Sequence, residues 1–240
     1  MILIGGAFSN RLIFAGLADA LSPQFTAVSY DRRGCGASGD TAPYAVDREV
    51  EDLGALIAGV GGRACLFGHS SGACLALEAA LQGLTIDRVA AYEAPYIPDE
   101  VERRPGADLA GRLRALLRQG RRGDAVELFQ TEAIGIPQAV VEGFKTTPMW
   151  AELTELAHTL PYDVEITGPG NVLPARRLAA VPVPVLVMVG GAGIGWMPTA
   201  GRTLAATIPG ARLAIFDRLD HGGPQAHPEL LAPALFDFFG

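Results

Sequence analysis

The run Gly68-His69-Ser70-Ser71-Gly72 holds the residues most able to do covalent chemistry. Cys65, Leu66 and Phe67 before it suit a buried strand, and the good helix formers of residues 73–81 follow it, up to Gly83. A serine at such a strand-to-helix turn presents its hydroxyl at the top of a sheet, while the flanking glycines allow strained backbone angles and close approach of neighbouring elements. Serine is a poor nucleophile until a base takes its proton. Only four histidines could serve: His69, His158, His221 and His227. The bland reading, a capping serine at an ordinary turn, keeps the same strand and helix.

The elements that must position these residues alternate. Residues 2–4 form a short apolar run ending at Gly5-Gly6-Ala7-Phe8, and Ser9 can cap a helix to Leu21 with Leu12, Leu17 and Leu21 inward. A second strand over residues 25–30 runs into the glycine-rich turn of residues 31–39. A helix is expected over 46–60, with Val50, Leu53, Leu56, Ile57 and Val60 at helical spacing and carboxylates in its first half, where the helix dipole favours them. Strands at 64–67 and 88–92 flank the Ser70 turn and its helix. From residue 98 the rhythm changes to amphipathic helical runs at 107–119, 124–131, 137–144 and 148–159, the last with Thr147 as cap. Alternation resumes with a strand at 183–189, a helix at 199–208, a strand at 211–216, a loop holding His221, and a helix at 228–239. This predicts an α/β fold with a doubly wound, mostly parallel sheet. Its core is residues 1–97 and 181–240, and residues 98–180 form an inserted helical lid.

Composition narrows the partners. The 240 residues suit one domain with an insertion, and 19 basic against 26 acidic side chains, net −7, argue against nucleic acid and anionic membrane. A small-molecule substrate fits better; oligomeric state is open. Residues 1–8 lack the basic start of a signal peptide, and Pro182, Pro184 and the glycines of 190–195 interrupt the uncharged stretch 178–201 too often for a membrane span. Cys35, Cys65 and Cys74 lack metal-ligand spacing and read as reduced, buried thiols of a cytoplasmic protein. No metal and no cofactor are expected. The 190–195 glycines superficially suggest a dinucleotide loop, but Trp196 stands where its third glycine belongs.

Taken in order, Gly5-Gly6, the turn Asp31-Arg32-Arg33-Gly34-Cys35-Gly36-Ala37-Ser38, the Ser70 elbow, and His221 before a terminal amphipathic helix resemble the α/β-hydrolase fold superfamily, lid-bearing serine hydrolase type. Relatives usually begin with an antiparallel hairpin before the strand seen here at Ile2, so one sheet edge is expected to be shorter. They also often have His-Gly in place of Gly5-Gly6.

The resemblance implies Ser70 as nucleophile and His221 as its base. It implies an oxyanion hole from the amides of Ala7, with Phe8 as the neighbouring alternative, and Ser71. His69 is expected to point away from the pocket, His158 to belong to the lid, and His227 to be an exposed loop residue. The usual acid position, the loop after the 183–189 strand, has no carboxylate; none occurs from Leu178 to Phe216. Some relatives place the acid one strand earlier, which here is Glu93, followed by Asp217 as second choice; Asp220 sits awkwardly next to His221. Phe8, Phe144 and Trp150 are the candidate substrate contacts, with Met149 beside them. The implied activity is cleavage of an ester, lactone or similar acyl bond of a small, mostly apolar molecule through an acyl-enzyme, in the esterase/lactonase class. The alternative keeps the fold as a lyase, a cyclase, a cofactor-free oxygenase or a ligand-binding protein.

Overall fold

The computed structural model describes residues 1–193 and 195–240. The Gly190-to-Gly195 reading therefore falls partly, at Ile194, outside the described residues. Six strands run parallel in the order β2-β1-β3-β4-β5-β6: β1 (Ile2–Ile4), β2 (Val28–Ser29), β3 (Ala64–His69), β4 (Ile86–Tyr92), β5 (Val185–Gly190) and β6 (Arg212–Phe216). The edge strand β2 pairs over two residues only.

The period-two pattern of these strands explains both layers. Ile2, Ile4, Leu66, Val89, Ala91, Val185, Val187 and Val189 face one side. There they meet α2 (Val46–Gly59), α3 (Ser71–Leu81) and α10 (Met197–Thr207). Leu3, Phe67, Ala90, Tyr92, Leu186 and Met188 face the other, against α1 (Ala15–Leu21) and α12 (Pro228–Phe239). Strands buried on both faces need continuous apolar runs, as in β1 and β5, whereas the edge strands β2 and β6 are only partly buried. Fully burying one such aliphatic side chain contributes about 1.5–3 kcal/mol, so the two layers hold the strand ends rigidly.

Between β4 and β5 the described chain makes no strand beyond an isolated Ile97–Val172 bridge, and its α-helices are α4 (Leu109–Arg118), α5 (Arg122–Leu128), α6 (Gln138–Phe144), α7 (Met149–Glu155), α8 (Leu160–Thr167) and α9 (Ala175–Leu178). Leu109, Leu113, Ala125, Val126, Phe129, Leu160 and Val164 build a separate apolar core, against which Ala7 and Phe8 pack. A short helix α11 (Gly223–Ala226) follows the His221 turn.

Several local expectations change. Asn10, not Ser9, caps the first helical turn, its Oδ1 accepting the Leu12 N–H at 2.9 Å. That turn is a 3₁₀ helix, so its side chains fall out of register with α1, and Leu12 is 68% exposed while Leu17 and Leu21 are buried. The Thr147 hydroxyl bonds back to the Phe144 carbonyl, and no side chain caps α7. The helix expected over 124–131 ends at Leu128 and widens into a π turn, Phe129–Ile134, closed by Gly135 at φ 96°. Helix α8 was not anticipated: it starts Leu160-Pro161 and carries Val164, Ile166 and Thr167, β-branched residues of modest helix propensity. Packing of Leu160 and Val164 stabilises it instead.

Candidate active site

Ser70 stands between β3 and α3 with φ 57° and ψ −128°, a region that costs an L-residue about 1–3 kcal/mol. Its N–H donates to the Tyr92 carbonyl at 2.9 Å, which ties the turn to β4. The glycines at 68 and 72 serve close approach, not backbone strain, since neither has positive φ. A Cβ on Gly68 would lie 2.4 Å from the Gly72 oxygen, and one on Gly72 would lie 2.4 Å from the Ile4 oxygen. Strand, helix and the β1 loop thus meet with no room for a methyl group. The strain rests on the serine.

His221 sits in the turn after β6. Its Nδ1 is 2.6 Å from Glu93 Oε2, and the other Glu93 oxygen accepts the Gly190 N–H at 2.9 Å. The Glu93 side chain is fully enclosed, while His221 is partly open. Because a carboxylate accepts at Nδ1, the ring carries its proton there and presents Nε2 as a lone pair. Two further bonds hold this turn: His69 Nε2–H donates to the His221 carbonyl at 2.9 Å, and the Tyr92 hydroxyl donates to the Asp220 carbonyl at 2.6 Å. His69 is therefore not turned away from the site; it lines the cavity, and burial with the nearby His221 keeps it neutral, well below the usual histidine range. Neither Asp217 nor Asp220 bonds to the His221 ring, and Asp220 Oδ1 is occupied by the Gly222 N–H. His158 Nε2 contacts the Gly34 carbonyl, and His227 is exposed beside Glu229. No direct hydrogen bond joins Ser70 Oγ to His221 among the described residues, but both line one cavity.

That cavity holds about 240 Å³. Ala7, Phe8 and Ser71 line it, and the backbone N–H groups of these three residues have no protein acceptor among the described residues. Gly6 lies against Ser70, where a Cβ would fall 2.7 Å from Ser70 Cβ. Phe8 meets Phe129 edge-to-face at 5.6 Å. Phe144 and Trp150 do not line the cavity. Trp150 packs over Gly123 and under Lys145, so the helical core absorbs it. Phe129, Ala133 and Ile134 of the π turn, with Trp196 and Met197, supply the apolar wall in their place.

The alpha/beta hydrolase family profile matches residues 1–234. The chain belongs to the alpha/beta hydrolase family. It is 47% identical to an alpha/beta hydrolase from Sphaerobacter thermophilus DSM 20745, covering 100% of this chain and 91% of that one, with a TM-score of 0.88. More distant folds include an enol-lactonase from Burkholderia xenovorans LB400 (21% identity, 99% and 90% coverage, TM-score 0.72). Another is the 2-hydroxy-6-oxo-6-phenylhexa-2,4-dienoate hydrolase from Rhodococcus sp. strain RHA1 (21% identity, 99% and 89% coverage, TM-score 0.68).

Within this alpha/beta hydrolase one functional-site neighbour escaped sequence reasoning. Asp163 of α8 lines the cavity; its Oδ1 accepts from Ser71 Oγ at 2.6 Å and from Arg32 Nη1 at 2.8 Å. Arg32 is itself clamped by Glu49 through Nε at 2.9 Å and Nη2 at 2.6 Å, and Tyr44 donates to Glu49 at 2.9 Å. Burial raises the Asp163 carboxyl above its usual range, opposed by Arg32 and by the Ser71 hydroxyl. Removing one partner from a buried ion pair of this kind costs about 3–5 kcal/mol. The network ties α8 to the start of α3, where Ser71 offers its amide. The signal was available in Arg32, an arginine directly after the 25–30 run whose neighbour Asp31 is taken by Arg11 and the Ala37 N–H.

Among the described residues no group of three or more His, Cys, Asp or Glu side chains is placed to hold a metal ion. Among the described residues no helix is long and apolar enough to cross a membrane.

Proposed function

We propose that this alpha/beta hydrolase is a serine hydrolase that cleaves an ester, lactone or similar acyl bond of a small, mostly apolar molecule. The observation that carries the reading is the 2.6 Å His221–Glu93 pair opening on the same cavity as the strained Ser70 turn. Ser70 Oγ attacks the carbonyl while His221 Nε2 takes its proton, and Glu93 steadies the imidazolium that forms. The negative oxygen is held by the Ala7 and Ser71 amides, the latter at the positive end of α3. His221 then protonates the leaving group, and water activated by the same ring releases the acyl group from Ser70. Phe8 and Phe129 contact the apolar part of the substrate, and residues 98–180 act as the lid over it. The hydrolytic names of the enol-lactonase and dienoate hydrolase neighbours support the class. Three unpaired thiols, Cys35, Cys65 and Cys74, support a reducing, cytoplasmic location. No nucleic acid, membrane or cofactor enters the proposal.

A fluorophosphonate tests it. Stoichiometric labelling of Ser70, abolished in Ser70→Ala and slowed at least a thousandfold in His221→Ala, is the expected result, measured by intact mass and peptide mapping. A folded wild-type protein that takes no label would overturn it and favour the non-hydrolytic alternatives on this fold.

A further inference from the structure

The cavity holds one carboxylate that the proposed acyl transfer does not use. Asp163 is 3% exposed, and its Oδ1 takes both the Ser71 and the Arg32 donors. Oδ2 has no protein partner among the described residues, and Asp163 lines the cavity. Asn171 lines the same wall and is 4% exposed. Its Oδ1 accepts the Thr167 hydroxyl at 2.9 Å, which leaves the amide N–H₂ without a protein acceptor. An acceptor and a donor are thus both left open.

Charge limits what they can receive. Arg32, the guanidinium paired with Asp163, already meets Glu49 through two nitrogens, so two carboxylates share one cation in an enclosed cluster. No Arg or Lys lines the cavity among the described residues. A carboxylate brought within about 6 Å of Asp163, at an effective dielectric of about 20, would lose about a hundredfold in binding. An ammonium group gains from Asp163 what a carboxylate loses, but it has only donors, so beside it the Asn171 N–H₂ would face a second donor instead of an acceptor. A hydroxyl can meet either demand, donating to Asp163 or accepting from Asn171.

We propose that Asp163, with Asn171, determines specificity: the substrate is an uncharged acyl compound bearing a hydroxyl group, and carboxylate-bearing analogues are excluded. This rests on the serine-hydrolase reading of Ser70. The test compares 4-nitrophenyl esters of unsubstituted, ω-hydroxy and ω-carboxy acids with four- and six-carbon acyl chains at pH 8, after wild-type Ser70 labelling has been checked. At one chain length kcat/KM should be highest for the hydroxy ester and at least about a hundredfold lower for the carboxylate than for the unsubstituted ester. In Asp163→Asn the carboxylate-to-unsubstituted ratio of kcat/KM should rise at least tenfold. Should Asp163→Asn fail to fold, Asn171→Asp replaces it; its φ of 50° suits Asp, and the carboxylate ratio should fall further while the hydroxy preference shrinks. Ser70 labelling with equal use of all three esters, or an unchanged ratio in the variant, would overturn the specificity proposal alone. Absence of labelling would overturn both readings.

Discussion

Glu93→Gln separates a functional role for the acid from a merely structural one. Glu93 makes two bonds of opposite demand: Oε1 must accept the Gly190 N–H, and Oε2 must accept the proton on His221 Nδ1. A glutamine has one oxygen. If that oxygen stays on Gly190, the amide N–H₂ faces His221, Nδ1 must become the acceptor, and the proton moves to Nε2, the nitrogen required as base. If the amide flips, two N–H groups confront each other at Gly190 in an enclosed site, at a cost of about 1–3 kcal/mol. The inactive tautomer is therefore favoured by roughly ten- to a hundredfold before the lost negative charge is counted. With that charge gone as well, the full effect should approach about 10⁴ in turnover, the figure known for the corresponding acid-to-amide change in a Ser-His-Asp enzyme. That is about 5.4 kcal/mol at 1.36 kcal/mol per decade. Stability should change by less than about 1.5 kcal/mol, because the favoured rotamer keeps both bonds. The assay is 4-nitrophenyl ester hydrolysis together with the rate of fluorophosphonate labelling and a urea midpoint. A folded Glu93→Gln protein within tenfold of wild type would refute the assignment, as would an equal loss in Asp217→Asn.

Two further outcomes probe the scaffold. Gly72→Ala should lower stability by about 1–3 kcal/mol or prevent folding, since its Cβ would meet the Ile4 and Gly5 oxygens at 2.4 and 2.6 Å on main chain locked in the sheet and its loop; the denaturant midpoint measures this. His69 is neutral when folded, with its proton affinity pushed down by burial. The unfolded chain takes up that proton as pH falls below about 6.5, so this residue makes stability drop on acidification by up to about 1.4 kcal/mol per pH unit. His69→Gln, which keeps an N–H for the His221 carbonyl, should flatten that acid limb between pH 7 and pH 5. Equal slopes in both proteins would contradict it.

The parts of the site legible in the sequence are those whose cause is local. The Ser70 turn is announced by strand formers, helix formers and two glycines within a few residues, and the alternation of elements follows from apolar runs that need two covered faces. Glu93 is 128 residues from His221, yet it was within reach because of a gap. The loop after β5 carries no carboxylate, and the structure shows why it opens on two glycines: Cβ atoms on Gly190 and Gly191 would lie 2.5 Å from the Leu219 oxygen and 2.8 Å from Asp217 Cα. Gly190, Gly191 and Gly193 pack against the segment of residues 217–221, leaving no room there for an acidic side chain, and the acid comes from the end of the neighbouring strand. Where no local cause exists, reading failed. Phe144 and Trp150 look like pocket residues by type, but which of several aromatic side chains faces a cavity depends on how short helices pack, and here the π turn brings Phe129 forward.

Asp163 shows the same limit from the opposite side. On its own helix, Tyr162-Asp163-Val164-Glu165 reads as one solvated face beside one apolar face, and nothing within a turn separates the buried acid from its neighbour Glu165, which pairs with Arg114 near the surface. The distinction is made by Arg32, 131 residues away, and Ser71, 92 residues away. Arg32 is a buried arginine after a half-buried edge strand, and Glu49 satisfies only two of its nitrogens. The third, Nη1, donates to the Gly5 carbonyl at 3.3 Å and to Asp163 at 2.8 Å, so the acid of the element covering this end of the sheet completes the guanidinium's partners, and pairing buried cations with carboxylates is the constraint that points to α8 over Ser71.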